Sequence, residues 1–333
     1  MRRIFAALLC AALLLGTIPT TAETAGDPFL RLENTETVLT LQQTECEQKG
    51  TVEVLSYECP AYAINEVLGM NVTIEKTVSV YLPYGYDPAK QYNVLYLLHG
   101  TGGDDQYWLL KAKTGVPSVN LLDNLIQQGL CDPLIVVAPN WNADKKGKQY
   151  KPSDEQAAAY GELVQDPDIK VRNDLWVAFF PEELRNDIIP LVESKYATFA
   201  GGDASGESLV ASRDHRALAG LSRGSTATLR AGVIANHDIF SWIGAFSGAW
   251  VRADQFEESL KQEQYPIHFW YNGNGTEDFS LDEHQAFLDQ VRGDLPGMFT
   301  EGVNYAFVVK EGSAHAYENW ITDLYNILQV FFR

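Results

Sequence analysis

Short apolar runs without polar alternation recur along this chain. They are Val94-Leu95-Tyr96-Leu97-Leu98, Leu134 to Ala138, a run ending at Ala219, Trp242 to Phe246, Ile267 to Tyr271 and Tyr305 to Val309. An uninterrupted run suits a strand covered on both faces, as in a parallel sheet with helices on each side. Helical patterns fill the intervals, over Leu121 to Gln128, Pro181 to Tyr196, Ser225 to Asn236, Leu281 to Arg292 and Ala316 to Phe332. This alternation predicts an α/β fold with a mostly parallel central sheet and helices on both faces. Before it, Thr37 to Leu41, Thr51 to Tyr57 and Thr73 to Leu82 alternate at period two. Half-buried antiparallel strands at the N-terminal edge give that signal. The chain has 333 residues, enough for a sizeable core. Residues 36–333 show no repeat or linker and read as one domain.

The first residues carry a different pattern. Arg2 and Arg3 precede an apolar run from Ile4 to Leu15 and the small residues Thr20-Thr21-Ala22. Residues 1–22 read as a secretory signal peptide, and 23–35 as a flexible leader. The run is too short for a membrane span. The expectation is an exported protein without a membrane anchor. Losing both arginines moves the net charge from −19 to −21, which disfavours nucleic acid and anionic lipid as partners. Cys46 and Cys59 flank a hairpin and either pair in an oxidising compartment or remain buried thiols, leaving Cys131 free in the first case. The Asn71 and Asn274 glycosylation sequons read as chance matches. Neither a metal-site spacing nor a cofactor motif is expected. Residues 144–172 read as a polar insertion after the second central strand, either shaping the substrate mouth or forming a solvated loop.

The chemistry gathers around Gly220-Leu221-Ser222-Arg223-Gly224, between the strand ending at Ala219 and the helix from Ser225. In that context a G-x-S-x-G turn is a nucleophile elbow, with small residues where strand and helix backbones crowd. An acyl-transfer serine needs a base, an orienter for the base, and donors for the oxyanion. Four histidines follow Ser222. His237 follows the helix leaving the elbow, His268 lies within a strand, and His284 is expected on the surface of an amphipathic helix. His315, in the small-residue loop Gly312 to Ala316, is the candidate base. Glu277 and Asp278 are candidate acids on the loop after the penultimate strand, and the shorter Asp278 is preferred. The backbone amides of Arg223 and Thr101, the latter in His99-Gly100-Thr101-Gly102-Gly103, are candidate oxyanion donors. His99 is expected to brace that loop. Trp108 and Trp141 are candidate walls of an acyl or sugar pocket, core packing being the alternative.

Several of these stretches resemble a known family. Tyr96 to Gly103 with Trp108, Arg213 to Ser222, Gly275 to Asp278 and the His315 loop are similar to the esterase D-like branch of the α/β-hydrolases. Within that branch the chain resembles carbohydrate esterase family 1, which holds feruloyl and acetylxylan esterases. The resemblance runs from about Val78 to Phe331. It implies the α/β-hydrolase fold, Ser222 as nucleophile, Asp278 as acid, His315 as base, and Thr101 and Arg223 as oxyanion donors. The chain departs from the family at Arg223, where methionine is common, and at Ala316, where an aromatic or acidic residue is usual.

The expected function is therefore a secreted serine esterase acting on feruloyl or acetyl esters of plant cell-wall polysaccharide such as xylan. An acyltransferase on the same fold and a non-catalytic carbohydrate-binding protein are the alternatives.

Overall fold

The computed structural model describes residues 35–110, 118–144, 150–163, 172–261 and 264–333. The expected signal peptide lies outside them. Among the described residues one sheet holds eight strands. They are β1 (Thr51–Pro60), β2 (Thr73–Leu82), β3 (Asn93–Leu98), β4 (Leu134–Pro139), β5 (Arg216–Leu221), β6 (Trp242–Phe246), β7 (Phe269–Glu277) and β8 (Tyr305–Ala314). Their order is β1-β2-β4-β3-β5-β6-β7-β8. β1 and β2 pair antiparallel, β2 joins β4 antiparallel, and the strands from β4 to β8 run parallel.

The continuous apolar runs are explained by the two cores. Val94, Tyr96, Leu98, Ile135, Val137, Leu218 and Ile243 face one cluster. Their neighbours Leu95, Leu97, Val136, Ala217, Ala219 and Phe246 face the other. Alternate side chains thus enter opposite cores, so no position along a central strand can be polar without a cost.

The helices are α1 (Thr35–Gln43), α2 (Tyr62–Leu68), α3 (Val119–Gln127), α4 (Asp154–Leu163), α5 (Arg172–Glu183), α6 (Ile189–Lys195), α7 (Gly206–Ala211), α8 (Arg223–Thr228), α9 (Ala253–Leu260), α10 (Leu281–Asp294) and α11 (Tyr317–Val330). A π-helical turn, Leu184–Ile188, joins α5 to α6 just before Pro190. Proline has no amide to donate, so a local change of helical register there is expected.

One expectation about the fold is corrected, and two open alternatives are narrowed. Thr37 to Leu41 is helical, within α1. Val38 buries against the core beside α3 and α11, and Asn124 Nδ2 donates to the carbonyls of Leu41 (3.0 Å) and Thr44 (2.8 Å). So short an apolar pattern satisfies both periods, and the packing partner decides. Cys46 and Cys59 are separate buried thiols. β1 carries the chain roughly 25 Å between Thr51 and Cys59, away from Cys46. The polar insertion contains α4, whose Ala157 packs with Ala61, Ile64 and Trp176 in a small satellite core. None of its described residues lines the cleft at Ser222.

Candidate active site

The strand order reverses at β3, with β4 on one side and β5 on the other. In open α/β sheets the crevice at such a switch point, beyond the carboxyl ends of the strands, is where ligands bind. The register Leu98↔Gly220 brings the chain leaving β3 beside the turn leaving β5. Ser222 occupies that turn with φ 53° and ψ −121°, between β5 and α8. A residue with a Cβ adopts this conformation only when its surroundings impose it. Here the surroundings are close: a Cβ on Gly220 would lie 2.5 Å from the Gly224 carbonyl oxygen, and one on Gly224 only 2.3 Å from that of His99. Ser222 N also donates to the Phe246 carbonyl at 2.8 Å, tying the turn to β6.

β7 and β8 run further than the apolar runs suggested, and their extension assembles the rest. They pair through a bulge to Glu277↔Ala314. The next residue on each strand is Asp278 and His315. A Cβ on Gly275 would lie 2.0 Å from the Ser313 carbonyl oxygen, so only glycine permits this approach. His315 Nε2 lies 3.0 Å from Ser222 Oγ, and His315 Nδ1 lies 2.9 and 3.0 Å from the two Asp278 oxygens. Because an ionised carboxylate only accepts, Nδ1 carries the proton and Nε2 is left to accept from the serine hydroxyl.

The Asp278 side chain is fully buried. Burial alone would raise its pKa, but hydrogen bonds from His315, Ser247 and Ser280 outweigh it and hold the carboxyl at about 2. Ser280 contributes both its amide (2.9 Å) and its hydroxyl (2.7 Å) to Oδ1. Glu277, the other candidate acid, is exposed.

The hydroxyl and the imidazole open on a solvent-facing cleft of about 760 Å³. Gly100 to Gly103 form one wall, and Tyr107, Leu221, Phe279 and Trp320 complete it. Thr101 thus lies on the cleft, and Arg223 opens α8 directly after Ser222. The Arg223 guanidinium lies over the Trp250 ring at 5.4 Å, and Trp250 stacks on Phe279. His99 is wholly buried, with its ring nitrogens 2.7 Å from the Gly100 carbonyl oxygen and 3.1 Å from Asn140 Oδ1. Burial lowers its pKa to about 4, so it braces the glycine loop and takes no proton at neutral pH.

Trp108 and Trp141 do not line the cleft; both indoles are buried. Trp108 Nε1 donates to the Leu98 carbonyl (3.0 Å), while Trp141 donates to the His99 carbonyl (2.6 Å) and stacks on the His99 ring. A donor-only ring beside a carbonyl at a strand end is held by that bond, so these residues shape the loop from behind. The aromatic cleft walls Tyr107, Phe279 and Trp320 were missed. For Phe279 a signal existed, since it directly follows Asp278. His284 is also corrected: it is buried, not on a surface, and burial pushes its pKa down to about 3. His268 lies just before β7 and contacts Asp214 at 2.9 Å. Asn274 is buried and donates to Ser280 Oγ, which closes it to a glycan.

Together the sheet order, the serine on its strand-to-helix turn and the loops at one sheet edge define an α/β-hydrolase. A family profile described as putative esterase matches residues 71–330, and the chain belongs to that family. Among curated relatives, endo-1,4-beta-xylanase Y of Acetivibrio thermocellus is 28% identical over 278 residues, covering 79% of this chain. An endo-1,4-beta-xylanase/feruloyl esterase of Xylanibacter ruminicola is 24% identical and covers 78% of this chain. The match spans only 22% and 29% of the lengths of these two relatives. Among solved structures, the feruloyl esterase module from Clostridium thermocellum complexed with sinapinate is similar at TM-score 0.68 and 25% identity, covering 88% of this chain and 92% of that one. A carbohydrate esterase family 1 ferulic acid esterase from Anaeromyces mucronatus shares the fold at TM-score 0.61 and 20% identity, covering 88% of this chain and 95% of that one.

Proposed function

We propose that this protein is a serine esterase that removes an aromatic acyl group of the feruloyl type, or an acetyl group, from plant cell-wall polysaccharide such as xylan. The observation that carries the reading is the unbroken chain of hydrogen bonds from Ser222 Oγ through His315 to Asp278, opening on a glycine-walled cleft. Ser222 attacks the ester carbonyl carbon while its proton passes to His315 Nε2. The amides of Thr101 and Arg223 donate to the oxyanion, an arrangement in which each donor is worth about 3 kcal/mol. Collapse of the intermediate expels the alcohol, protonated by His315, and water then releases the acid from the acyl-enzyme by the same route in reverse. Asp278 remains ionised throughout, holding the imidazole in the tautomer that accepts at Nε2.

Three features support the acyl choice. The relatives include feruloyl esterases. Tyr107, Phe279 and Trp320 give the cleft aromatic walls suited to a planar ring. The glycine loop lets backbone reach a carbonyl without side-chain interference. Residues 1–22 are proposed to direct export, so the mature protein recovered outside the cell should begin at Glu23, or at Gly26 if cleavage follows Ala25, by mass.

The test is hydrolysis of methyl ferulate and of acetylated xylan by wild type and Ser222→Ala, with fluorophosphonate labelling in parallel. Wild type should label and turn over, and Ser222→Ala should do neither. Wild-type rates in the variant would remove Ser222 from the mechanism, and the ester that wild type hydrolyses faster identifies the acyl group.

A further inference from the structure

We propose that Asn142 is a positioning residue for the oxyanion loop, its side-chain amide holding Gly103 so that the Thr101 N–H stays aimed at the reacting carbonyl. The inference rests on the esterase reading above. The loop has little of its own to hold it. Three of the four residues from Gly100 to Gly103 are glycines, Gly102 has φ 78°, and Thr101 and Gly102 are exposed. Such a segment gains little from burial and loses much entropy on ordering. An oxyanion donor nevertheless works only if it is in place before charge develops.

The anchor comes from the neighbouring strand. β4 runs parallel beside β3, so the chain leaving β4 passes alongside the chain leaving β3. Two consecutive residues there reach the two ends of the loop. Trp141 donates to the His99 carbonyl, and Asn142 Nδ2 donates to the Gly103 carbonyl at 3.2 Å. Between these ends the Gly103 amide closes a turn onto the Gly100 carbonyl at 3.1 Å. The orientation of the Asn142 amide is fixed by its partners. Its Nδ2 also lies 2.7 Å from Asn140 Oδ1, which accepts from the Asn142 backbone N–H at 3.0 Å. A peptide N–H only donates and a carbonyl only accepts, so the NH2 end faces both oxygens. The main chain of Asn142 is pinned in turn. Lys76 Nζ donates to its carbonyl at 2.8 Å and pairs with Glu183 at 2.6 Å, and both charged side chains are buried. Taking two charges out of water costs free energy that such a pair barely recovers; what it provides here is a fixed backing for Asn142. The Asn142 side chain does not itself line the cleft, so it acts on substrate through the loop.

The test compares Asn142→Ala with the isosteric Asn142→Asp at about pH 8, where a carboxyl is ionised. It follows thermal unfolding and hydrolysis of whichever of the two esters above wild type cleaves faster. Asn142→Ala removes the donor and should lower kcat roughly tenfold, less than the hundredfold or so that follows loss of an oxyanion donor itself. KM should stay unchanged, since the loop's donors engage fully only in the transition state. Asn142→Asp keeps the volume but turns a carboxylate oxygen towards two oxygens that only accept, and should lower kcat at least as far. A packing role predicts the opposite order, with the Asp variant closer to wild type than the Ala variant. That order, wild-type kcat in either variant, or a raised KM with intact kcat would overturn the proposal. If one variant fails to fold, the other decides: a fall in kcat of roughly tenfold or more at unchanged KM upholds the role, and wild-type turnover overturns it. Failure here is distinct from failure of the esterase reading: an active Ser222→Ala sinks that reading, whereas a dead Ser222→Ala beside a fully active Asn142→Ala sinks only this inference.

Discussion

At the scale of the residue, two serines sit in a conformation that side chains avoid, Ser222 and Ser247, each at the carboxyl end of a parallel strand. Such strain is of order 1–3 kcal/mol each and persists because neighbouring backbone leaves no alternative. Asp278 is the site residue whose acidity its hydrogen bonds change. Its folded pKa of about 2 lies below that of an ordinary carboxyl. The unfolded chain therefore takes up the proton first as pH falls. The stabilisation is fully present above about pH 4 and is lost as pH drops towards 2. Asp278→Asn should flatten this part of the acid-unfolding curve, read by circular dichroism. It should also lower kcat on the order of a thousandfold or more at neutral pH, because an amide donor facing Nδ1 favours the wrong imidazole tautomer. An unchanged kcat would show that the bond to His315 has no catalytic role.

At the scale of the element, the paired ends of β7 and β8 matter more than any loop. Asp278 and His315 meet because Glu277 is in register with Ala314. Gly275→Ala would place a Cβ 2.0 Å from the Ser313 carbonyl oxygen and force the strands apart. The expected outcome is destabilisation of about 1–3 kcal/mol in urea, with a larger proportional loss of kcat than of stability. The same elements explain which readings were open to the sequence. Leu134 to Ala138 and Trp242 to Phe246 are strands with both faces covered, and an unbroken apolar run admits few other structures. The extension of β7 through Asn272-Gly273-Asn274-Gly275 was hidden, since polar and glycine residues ordinarily mark a turn. Asn272 and Asn274 are nevertheless fully buried, with His284 hydrogen-bonded to both.

At the scale of the whole molecule, the sheet is tied to its helices by buried charge as well as apolar packing. Arg216 at the start of β5 makes two bonds to Glu193 of α6, at 2.6 and 2.7 Å, and Tyr96 and Thr198 also donate to that carboxylate. Glu193→Gln would leave the guanidinium buried without its counter-charge and should cost about 3–5 kcal/mol in urea unfolding. The described cysteines are all free, so a thermal melt should be the same with and without reductant. A fall in melting temperature on adding reductant would show a disulfide that this packing does not contain.

The chain's own pattern determined the alternation of covered strands and helices, and it marked Ser222, Asp278 and His315 as candidates. Strand burial and tight turns leave a local imprint, because each rejects most residue types at the positions concerned. Only the tertiary structure decided that Thr37 to Leu41 is helical, that Trp108 and Trp141 stand behind the glycine loop, that His284 is inside, and that Phe279, Trp320 and Ser247 surround the candidate site. These outcomes depend on which surface lies opposite a side chain. That is a matter of strand register and helix placement across hundreds of residues, and it leaves no periodic trace nearby.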